Sequence, residues 1–109
     1  SSAFDQSQLL ETAVFSHLRR QSSDLFYYHT NDGKEVDFVQ LLADQSIALF
    51  QVCVSLKDPQ TRKKEVDALQ IAMHELNVAT GHIVTFDEEE EIVVPSGIIT
   101  CIPAWKLLI

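Results

Sequence analysis

Residues 47–86 read IALFQVCVSLKDPQTRKKEVDALQIAMHELNVATGHIVTF, and they predict the central unit of the fold. Its first ten residues are mostly apolar, which is typical of a strand buried on both faces of a sheet. Asp58 and Pro59 predict the start of a helix that runs to about Asn77, because aspartate is a favoured N-cap and proline a favoured first helical residue. Residues 82–86 form a second apolar run. A connection that contains a whole helix joins parallel strands by a right-handed crossover, so the sequence predicts a β-α-β unit.

The residues before this unit predict one helix and an antiparallel hairpin. Apolar residues recur at three- and four-residue spacing over 5–21, as in an amphipathic helix. Residues 25–29 are rich in aromatic side chains and residues 35–39 alternate in polarity, which favours two strands. The Asp-Gly dipeptide at 32–33 is a strong turn signal, so the two strands are expected to pair.

The last part of the chain completes the predicted sheet. Short strands at residues 92–94 and 98–102 and a helical turn at 104–108 are expected to close the domain. The order is therefore helix, three strands, helix, strand, hairpin and short helix. This order predicts an α/β fold in which a mixed sheet begins with an antiparallel meander and carries helices on its faces. A length of 109 residues fits a single domain spanning 1–109.

Composition and charge exclude several classes of protein. Hydrophobic residues make up 46% of the chain, which excludes intrinsic disorder, and no apolar run approaches the roughly 20 residues of a membrane span. The formal net charge of -8 argues against binding of nucleic acid over the whole surface, because the phosphates would be repelled. Cys53 and Cys101 lie in apolar runs, as expected of reduced, buried thiols in a cytoplasmic protein rather than of a disulfide framework.

One basic cluster interrupts this acidic chain. It consists of Lys57, Arg62, Lys63 and Lys64, around the start of the predicted second helix. The helix dipole disfavours positive charge there, so the cluster is a candidate contact for nucleic acid or for a protein partner. A solvated helix face is the simpler interpretation, and the net charge does not favour nucleic acid.

Polar residues of the second and third strands are expected to meet at one place in the sheet. If these strands are neighbours, Asp37 and Gln51 project from the same face, and Cys53 shares that face by the two-residue period of a strand. Val36 and Phe38 are then expected together on one face of the second strand. Structural interpretations are also open, since an aspartate can cap a turn and a buried glutamine can satisfy backbone groups.

Four segments resemble a known family. They are Leu10–Phe15 (LETAVF), the Tyr27-Tyr28 pair, Gly33–Phe38 (GKEVDF) and Ile102–Lys106 (IPAWK). Their order and spacing resemble the PD-(D/E)XK nuclease-like fold, and more narrowly the C-terminal domain that follows the ATPase module in uncharacterised prokaryotic AAA-type ATPases. The resemblance implies a restriction-endonuclease-like core of helix, three strands, helix and strand. It also implies that the chain is a C-terminal fragment of a longer ATPase, whose own module binds ATP. This fragment contains no phosphate-binding glycine loop, so it is not itself expected to bind or hydrolyse ATP.

The resemblance assigns a relict site to Glu11, Asp37, Gln51 and Cys53. In nucleases of this fold, carboxylates hold a magnesium ion that activates water, and an acid-x-lysine pair on the third strand completes the site. Here Gln51 stands at the acid position and Cys53 at the lysine position, so an anion and a cation are both replaced. No catalytic residue, metal or other cofactor is therefore expected. If a metal does bind, the candidate ligands are Glu11, Glu35 and Asp37.

The leading hypothesis is a non-catalytic domain that serves binding or assembly in a larger ATPase. Its partners would be the ATPase module of the same chain and, in self-association, a second copy. Nucleic acid is not favoured, and no membrane contact is expected. The alternative is a magnesium-dependent nuclease with a rearranged site, in which Lys34 or Lys57 replaces the missing cation. An unrelated α/β interaction domain is the third hypothesis, so the sequence leaves open whether the domain alone is an enzyme.

Overall fold

The computed structural model describes residues 3–109, which form three helices and six strands. In chain order these are α1 (Ala3–Gln21), β1 (Leu25–His29), β2 (Glu35–Leu41), β3 (Ile47–Val52), α2 (Pro59–Glu75), β4 (Thr80–Thr85), β5 (Glu90–Val94), β6 (Gly97–Pro103) and α3 (Ala104–Leu107). The elements follow the order that the sequence predicts. No helix in this described part of the chain is long and apolar enough to cross a membrane.

The six strands form one mixed sheet in the order β1-β2-β3-β4-β6-β5. β1, β2 and β3 pair antiparallel, whereas β4 runs parallel to β3 and β6 runs parallel to β4. β5 returns antiparallel to β6 and forms the far edge. The predicted meander and the parallel connection through α2 are therefore confirmed, and the chain has an α/β fold.

Helices cover both faces of the sheet. α2 packs on one face, over a core that includes the fully buried Leu49, Leu69 and Ile83. α1 and α3 pack on the other face, over a core that includes Val14 and Phe50. Leu49 and Phe50 are neighbours in β3 but belong to different cores, which confirms that this strand is buried on both faces.

A β-bulge in β2 changes the alternation that the sequence predicts. Tyr28 pairs with Val36 and Phe26 pairs with Val39, so β2 takes three steps where β1 takes two. As a result, Val36 and Val39 pack on the α2 face, whereas Phe38 packs on the α1 face. The prediction that Val36 and Phe38 share a face is therefore wrong. The extra residue interrupts the two-residue alternation, so the side chains that follow it point to the opposite face from the one predicted.

The helix α2 begins at the residue that the sequence predicts. The Asp58 side chain accepts a hydrogen bond from the Thr61 N–H at 2.9 Å, and Pro59 follows as the first helical residue. The helix ends at Glu75, slightly before the predicted end, and Asn77 then takes a left-handed conformation with a φ of 56°. Asparagine tolerates this conformation better than most residues, so it turns the chain toward β4.

Strand β3 is shorter than the apolar run that predicts it. The run continues to Leu56, but the strand ends at Val52. The Cys53 N–H still donates to the Val84 carbonyl of β4 at 2.9 Å, while the regular pairing with β2 begins only at Phe38. The end of β3 therefore follows β4 and separates from β2, and the gap between β2 and β3 contains the candidate site.

Candidate functional site

Where β2 and β3 separate, hydrogen bonds from side chains take the place of the hydrogen bonds between the two backbones. The Gln51 side chain accepts a hydrogen bond from the Asp37 N–H at 2.9 Å and donates one to the Glu35 carbonyl at 3.0 Å. The Asp37 carboxylate in turn accepts the Val52 N–H at 2.8 Å. The structure therefore brings Asp37 and Gln51 together, as the sequence predicts, and both side chains join the two strands.

The amide group of Gln51 is engaged at both ends. Only 2% of this residue is exposed, and its oxygen and nitrogen each bind a backbone group of β2. Without it, the Asp37 N–H and the Glu35 carbonyl would lose their partner in a part-buried region, which is costly. The structural interpretation of Gln51 therefore accounts for both of its polar atoms.

A cleft of about 480 Å³ opens beside this junction. Glu35, Asp37 and Gln51 line it from the sheet, and Lys64 and Glu65 line it from α2. The cleft thus carries acidic groups on both walls and a lysine on the helical wall. Its walls come from separate elements, so its charge pattern depends on how α2 packs against β2.

Asp37 and Glu65 are partly buried carboxyl groups that interact across the cleft. Burial raises the pKa of Asp37 to about 6, although the hydrogen bond from the Val52 N–H opposes the rise. Burial raises the pKa of Glu65 to about 7, and the negative charge of Asp37 adds to this rise while Lys64 opposes it. The negative charge of Asp37 therefore disfavours ionisation of Glu65, whereas the charges of Glu11 and Glu35 disfavour ionisation of Asp37.

Glu65 and Asp67 line the cleft although the sequence analysis does not assign them to the site, and Glu65 is the one coupled to Asp37. Glu65 precedes Val66 on the apolar stripe of α2 and lies three residues before the buried Ala68 and four before the buried Leu69. A carboxylate at that spacing lies at the edge of the buried helix face. The pattern therefore signals a partly buried acid, but its meeting with Asp37 depends on the packing of α2 against β2.

Glu11 borders a different part of the surface. It is exposed on α1 and lines a shallow depression with Phe15 and Phe38, on the face opposite α2. Its charge still reaches Asp37, because it contributes to the raised pKa of that carboxyl group. Glu11 and Asp37 are thus coupled electrostatically, although they line different pockets.

Cys53 behaves as a partly buried core residue. It packs against the α2-side core, and its thiol donates to the Ser55 carbonyl at 3.1 Å. Burial raises the pKa of Cys53, and it raises the pKa of the buried Cys101 to about 11. Both cysteines are free thiols, in keeping with the sequence prediction, and both favour the unreactive protonated form.

The acidic residues of the cleft do not form a metal site of the expected kind. Within residues 3–109, no three histidine, cysteine, aspartate or glutamate side chains are grouped so that they could hold a metal ion. Glu35 and Asp37 share the cleft with Glu65, but these acids do not converge on one point. A hard divalent cation prefers several oxygen ligands, so the residues present do not fit the magnesium site that the resemblance implies.

Two of the four residues of the basic cluster form ion pairs with acidic side chains. Arg62 contacts Glu90 at 2.5 Å, and Lys63 contacts Asp67 at 2.6 Å one turn further along α2. Lys64 differs from these residues because it lines the cleft. These contacts leave less free positive charge for a phosphate backbone than the sequence alone suggests.

Neither lysine considered as a substitute for the missing cation lies at the centre of the site. Lys34 lines the cleft, but its ammonium group contacts Asp32 at 2.7 Å in the turn before β2. Lys57 is exposed just before α2 and is not among the residues that line the cleft. Lys64, which the sequence interpretation placed only in the basic cluster, influences Asp37 and Glu65 electrostatically.

The two raised pKa values give a testable dependence of stability on pH. A carboxyl group with a higher pKa in the folded state binds its proton more tightly there than in the unfolded chain. This stabilisation is present below the ordinary pKa values of 3.8 and 4.5, and it is lost as the pH rises through about 6 for Asp37 and about 7 for Glu65. His82 acts in the opposite direction, because burial lowers its pKa.

The free energy of unfolding of the unchanged chain is expected to fall between pH 5 and pH 8 as Glu65 ionises. We expect Glu65→Gln to remove about 1 to 2 kcal/mol of this fall. Asp37→Asn should act in the same direction with a smaller effect, because its charge also supports the Val52 hydrogen bond. Urea unfolding at both pH values measures the effect. Glu91→Gln, at an exposed position of β5, is the control. A pH dependence for Glu65→Gln that matches the unchanged protein would contradict the expectation.

Comparison with known proteins points to one family. The sequence profile of a family described as a domain of unknown function, DUF4143, matches residues 6–107. No curated protein and no solved structure shows a significant match to the chain. The profile covers all six strands, α2, α3 and all but the first residues of α1. The chain therefore belongs to the family described as a domain of unknown function, DUF4143.

Proposed function

We propose that this chain is a non-catalytic domain of nuclease-like fold that serves binding or assembly in a prokaryotic AAA-type ATPase of the cytoplasm. The mixed sheet supports the fold proposal, because its meander, its helical crossover and its order of elements are those that a restriction-endonuclease-like core requires. The ATPase module of the same chain is the proposed main partner, and it would bind the ATP. The domain itself needs no cofactor under this proposal.

The hydrogen bonds of Gln51 carry the proposal of a non-catalytic site. At the acid position of the nuclease motif, this side chain binds two backbone groups of β2 and contributes no negative charge. Cys53, at the lysine position, is an uncharged thiol directed at the Ser55 carbonyl. Loss of one preorganised electrostatic group typically costs about 100- to 1,000-fold in rate, and two such groups are replaced here.

Metal titration by calorimetry tests this proposal. The chain is expected to show no saturable binding of Mg²⁺ or Mn²⁺, because Gln51 supplies no anionic ligand beside Asp37. Gln51→Glu combined with Cys53→Lys restores the charges of the nuclease motif and is expected to gain measurable Mn²⁺ affinity if it folds. Saturable binding to the unchanged chain that Asp37→Ala removes would contradict the proposal. A folded double variant without metal affinity would contradict the geometry assigned to the relict site.

A magnesium-dependent nuclease with a rearranged site is the second candidate. One observation favours it, since α2 brings Glu65 and Lys64 into the cleft that contains Asp37. In this arrangement Glu65 would replace the missing acid and Lys64 the missing cation. Cleavage of DNA or RNA that is lost in both Glu65→Gln and Lys64→Ala, but not in Lys63→Ala, would support this candidate over the first.

A further inference from the structure

The edge strand β1 lacks the residue types that usually protect a sheet edge. It consists of Leu-Phe-Tyr-Tyr-His and contains no proline, lysine or acidic residue. Phe26 is 51% exposed and Tyr27 is 56% exposed, beside the bulge of β2. The opposite edge, β5, instead begins with Glu90 and Glu91. β1 is therefore the edge that is better suited to pair with another strand.

The hydrogen-bond pattern shows which backbone groups of β1 face outward. The Thr30 N–H donates to the Lys34 carbonyl at one end of the hairpin, and the Asp24 carbonyl accepts the Leu41 N–H at the other. Backbone groups alternate in direction along an antiparallel strand, so even-numbered residues of this segment face β2. The peptide groups of Leu25, Tyr27 and His29 consequently face away from β2, along the open edge.

We propose that two copies of this chain pair through antiparallel β1 strands, with a two-fold axis beside Tyr27. This inference goes beyond the proposed function and does not depend on the nuclease-like fold. Antiparallel pairing centred there sets Tyr27 opposite Tyr27 of the second copy, Leu25 opposite its His29, and Phe26 opposite its Tyr28. The open-edge peptide groups then bind one another, and the two sheets become continuous.

The side chains of β1 favour a second copy as the occupant of this edge. Each cross-strand pair of the two-fold arrangement joins aromatic or apolar side chains, none of them a carboxylate or a lysine, and such pairs stabilise antiparallel strands. The exposed Phe26 and Tyr27 both gain a partner. β1 itself carries no acidic residue, so the repulsion between two chains of net charge -8 comes from residues around it, among them Glu35 and Asp37 near Tyr27.

α2 also holds β1 in a fixed position before any second strand binds. The Tyr28 hydroxyl donates to the Glu75 carboxylate at 2.7 Å, and the same carboxylate accepts the Asn31 N–H at 2.9 Å. Both contacts anchor β1 and its turn to the end of α2. Little ordering entropy is then lost when the edge binds a second strand, which favours association.

Sedimentation equilibrium over a range of protein concentrations tests the proposal. The unchanged chain is expected to form a dimer, and Tyr27→Lys is expected to raise the dimer Kd at least about tenfold by setting two like charges opposite each other. Val93→Lys is the matched control, because Val93 is 81% exposed on the other edge strand, and it should leave the Kd within about twofold. A monomer at all concentrations, or a dimer insensitive to Tyr27→Lys, would overturn the proposal.

A cross-linking experiment keeps the test decisive if Tyr27→Lys does not fold. Tyr27→Cys is expected to give a disulfide-linked dimer on mild oxidation, because directly opposed residues in an antiparallel pair lie within disulfide range. Val93→Cys should give none. The native Cys53 and Cys101 are partly or fully buried and provide the background in the unchanged chain. Equal cross-linking of Tyr27→Cys and Val93→Cys would contradict pairing through β1.

Discussion

Replacement of Gln51 with methionine is expected to lower the free energy of unfolding by about 3 kcal/mol. Methionine fills nearly the same volume but cannot accept from the Asp37 N–H or donate to the Glu35 carbonyl. Both backbone groups lie where β2 and β3 have separated, so no neighbouring strand replaces the lost partner. An unsatisfied buried group typically costs about 1 to 3 kcal/mol. Urea unfolding followed by circular dichroism measures the change.

Gln60→Met is the matched control for this substitution. Gln60 is exposed in the first turn of α2, so its replacement is expected to change stability by less than about 0.5 kcal/mol. A Gln51→Met protein as stable as the control would show that Gln51 does not hold β2 to β3. The position would then be free to serve a ligand, and the structural interpretation of Gln51 would be wrong.

The second large effect is expected from Gly97→Ala, at the start of β6. Gly97 has a φ of 149°, and a Cβ atom there would lie 1.9 Å from the Ala79 carbonyl oxygen. That carbonyl also accepts the Ile98 N–H at 3.0 Å, so the clash falls on the contact that begins the parallel pairing of β4 and β6. We expect a loss of about 3 to 4 kcal/mol in the free energy of unfolding.

Gly33→Ala separates the effect of the clash from that of the backbone conformation. Gly33 also has a positive φ, of 86°, but a Cβ atom there would meet nothing within 4 Å. Its replacement is expected to lower the free energy of unfolding by only about 1 kcal/mol, because alanine is less stable than glycine in a left-handed conformation. Thermal unfolding of both variants gives the comparison. Equal losses at the two positions would contradict the close approach of β6 to Ala79.

Local rules explain what the sequence could predict of this fold. The Asp58 cap followed by Pro59 specifies the start of α2, and the apolar runs on either side specify the strands that it connects. Loop length and crossover handedness then determine the parallel pairing of β3 and β4. The convergence of Asp37 and Gln51 follows from strand adjacency, so it could be predicted as well.

Features that depend on tertiary packing could not be predicted in the same way. The bulge that separates Val36 from Phe38 adds one residue to β2, and no turn or glycine signal marks it in the sequence. Glu65 enters the site only because α2 lies against β2. Arg62 and Glu90 are 28 residues apart in the chain, so their ion pair becomes apparent only once α2 and β5 are placed together.

A nuclease assay with Mg²⁺ or Mn²⁺ on DNA and RNA distinguishes a non-catalytic domain from a working nuclease. The purified 109-residue chain and its Asp37→Ala variant are compared at equal concentration, so that any contaminating nuclease appears equally in both. The proposed function predicts no cleavage above this shared background, because it assigns Gln51 and Cys53 to the acid and lysine positions of a nuclease motif. Cleavage by the unchanged chain that Asp37→Ala abolishes would contradict it.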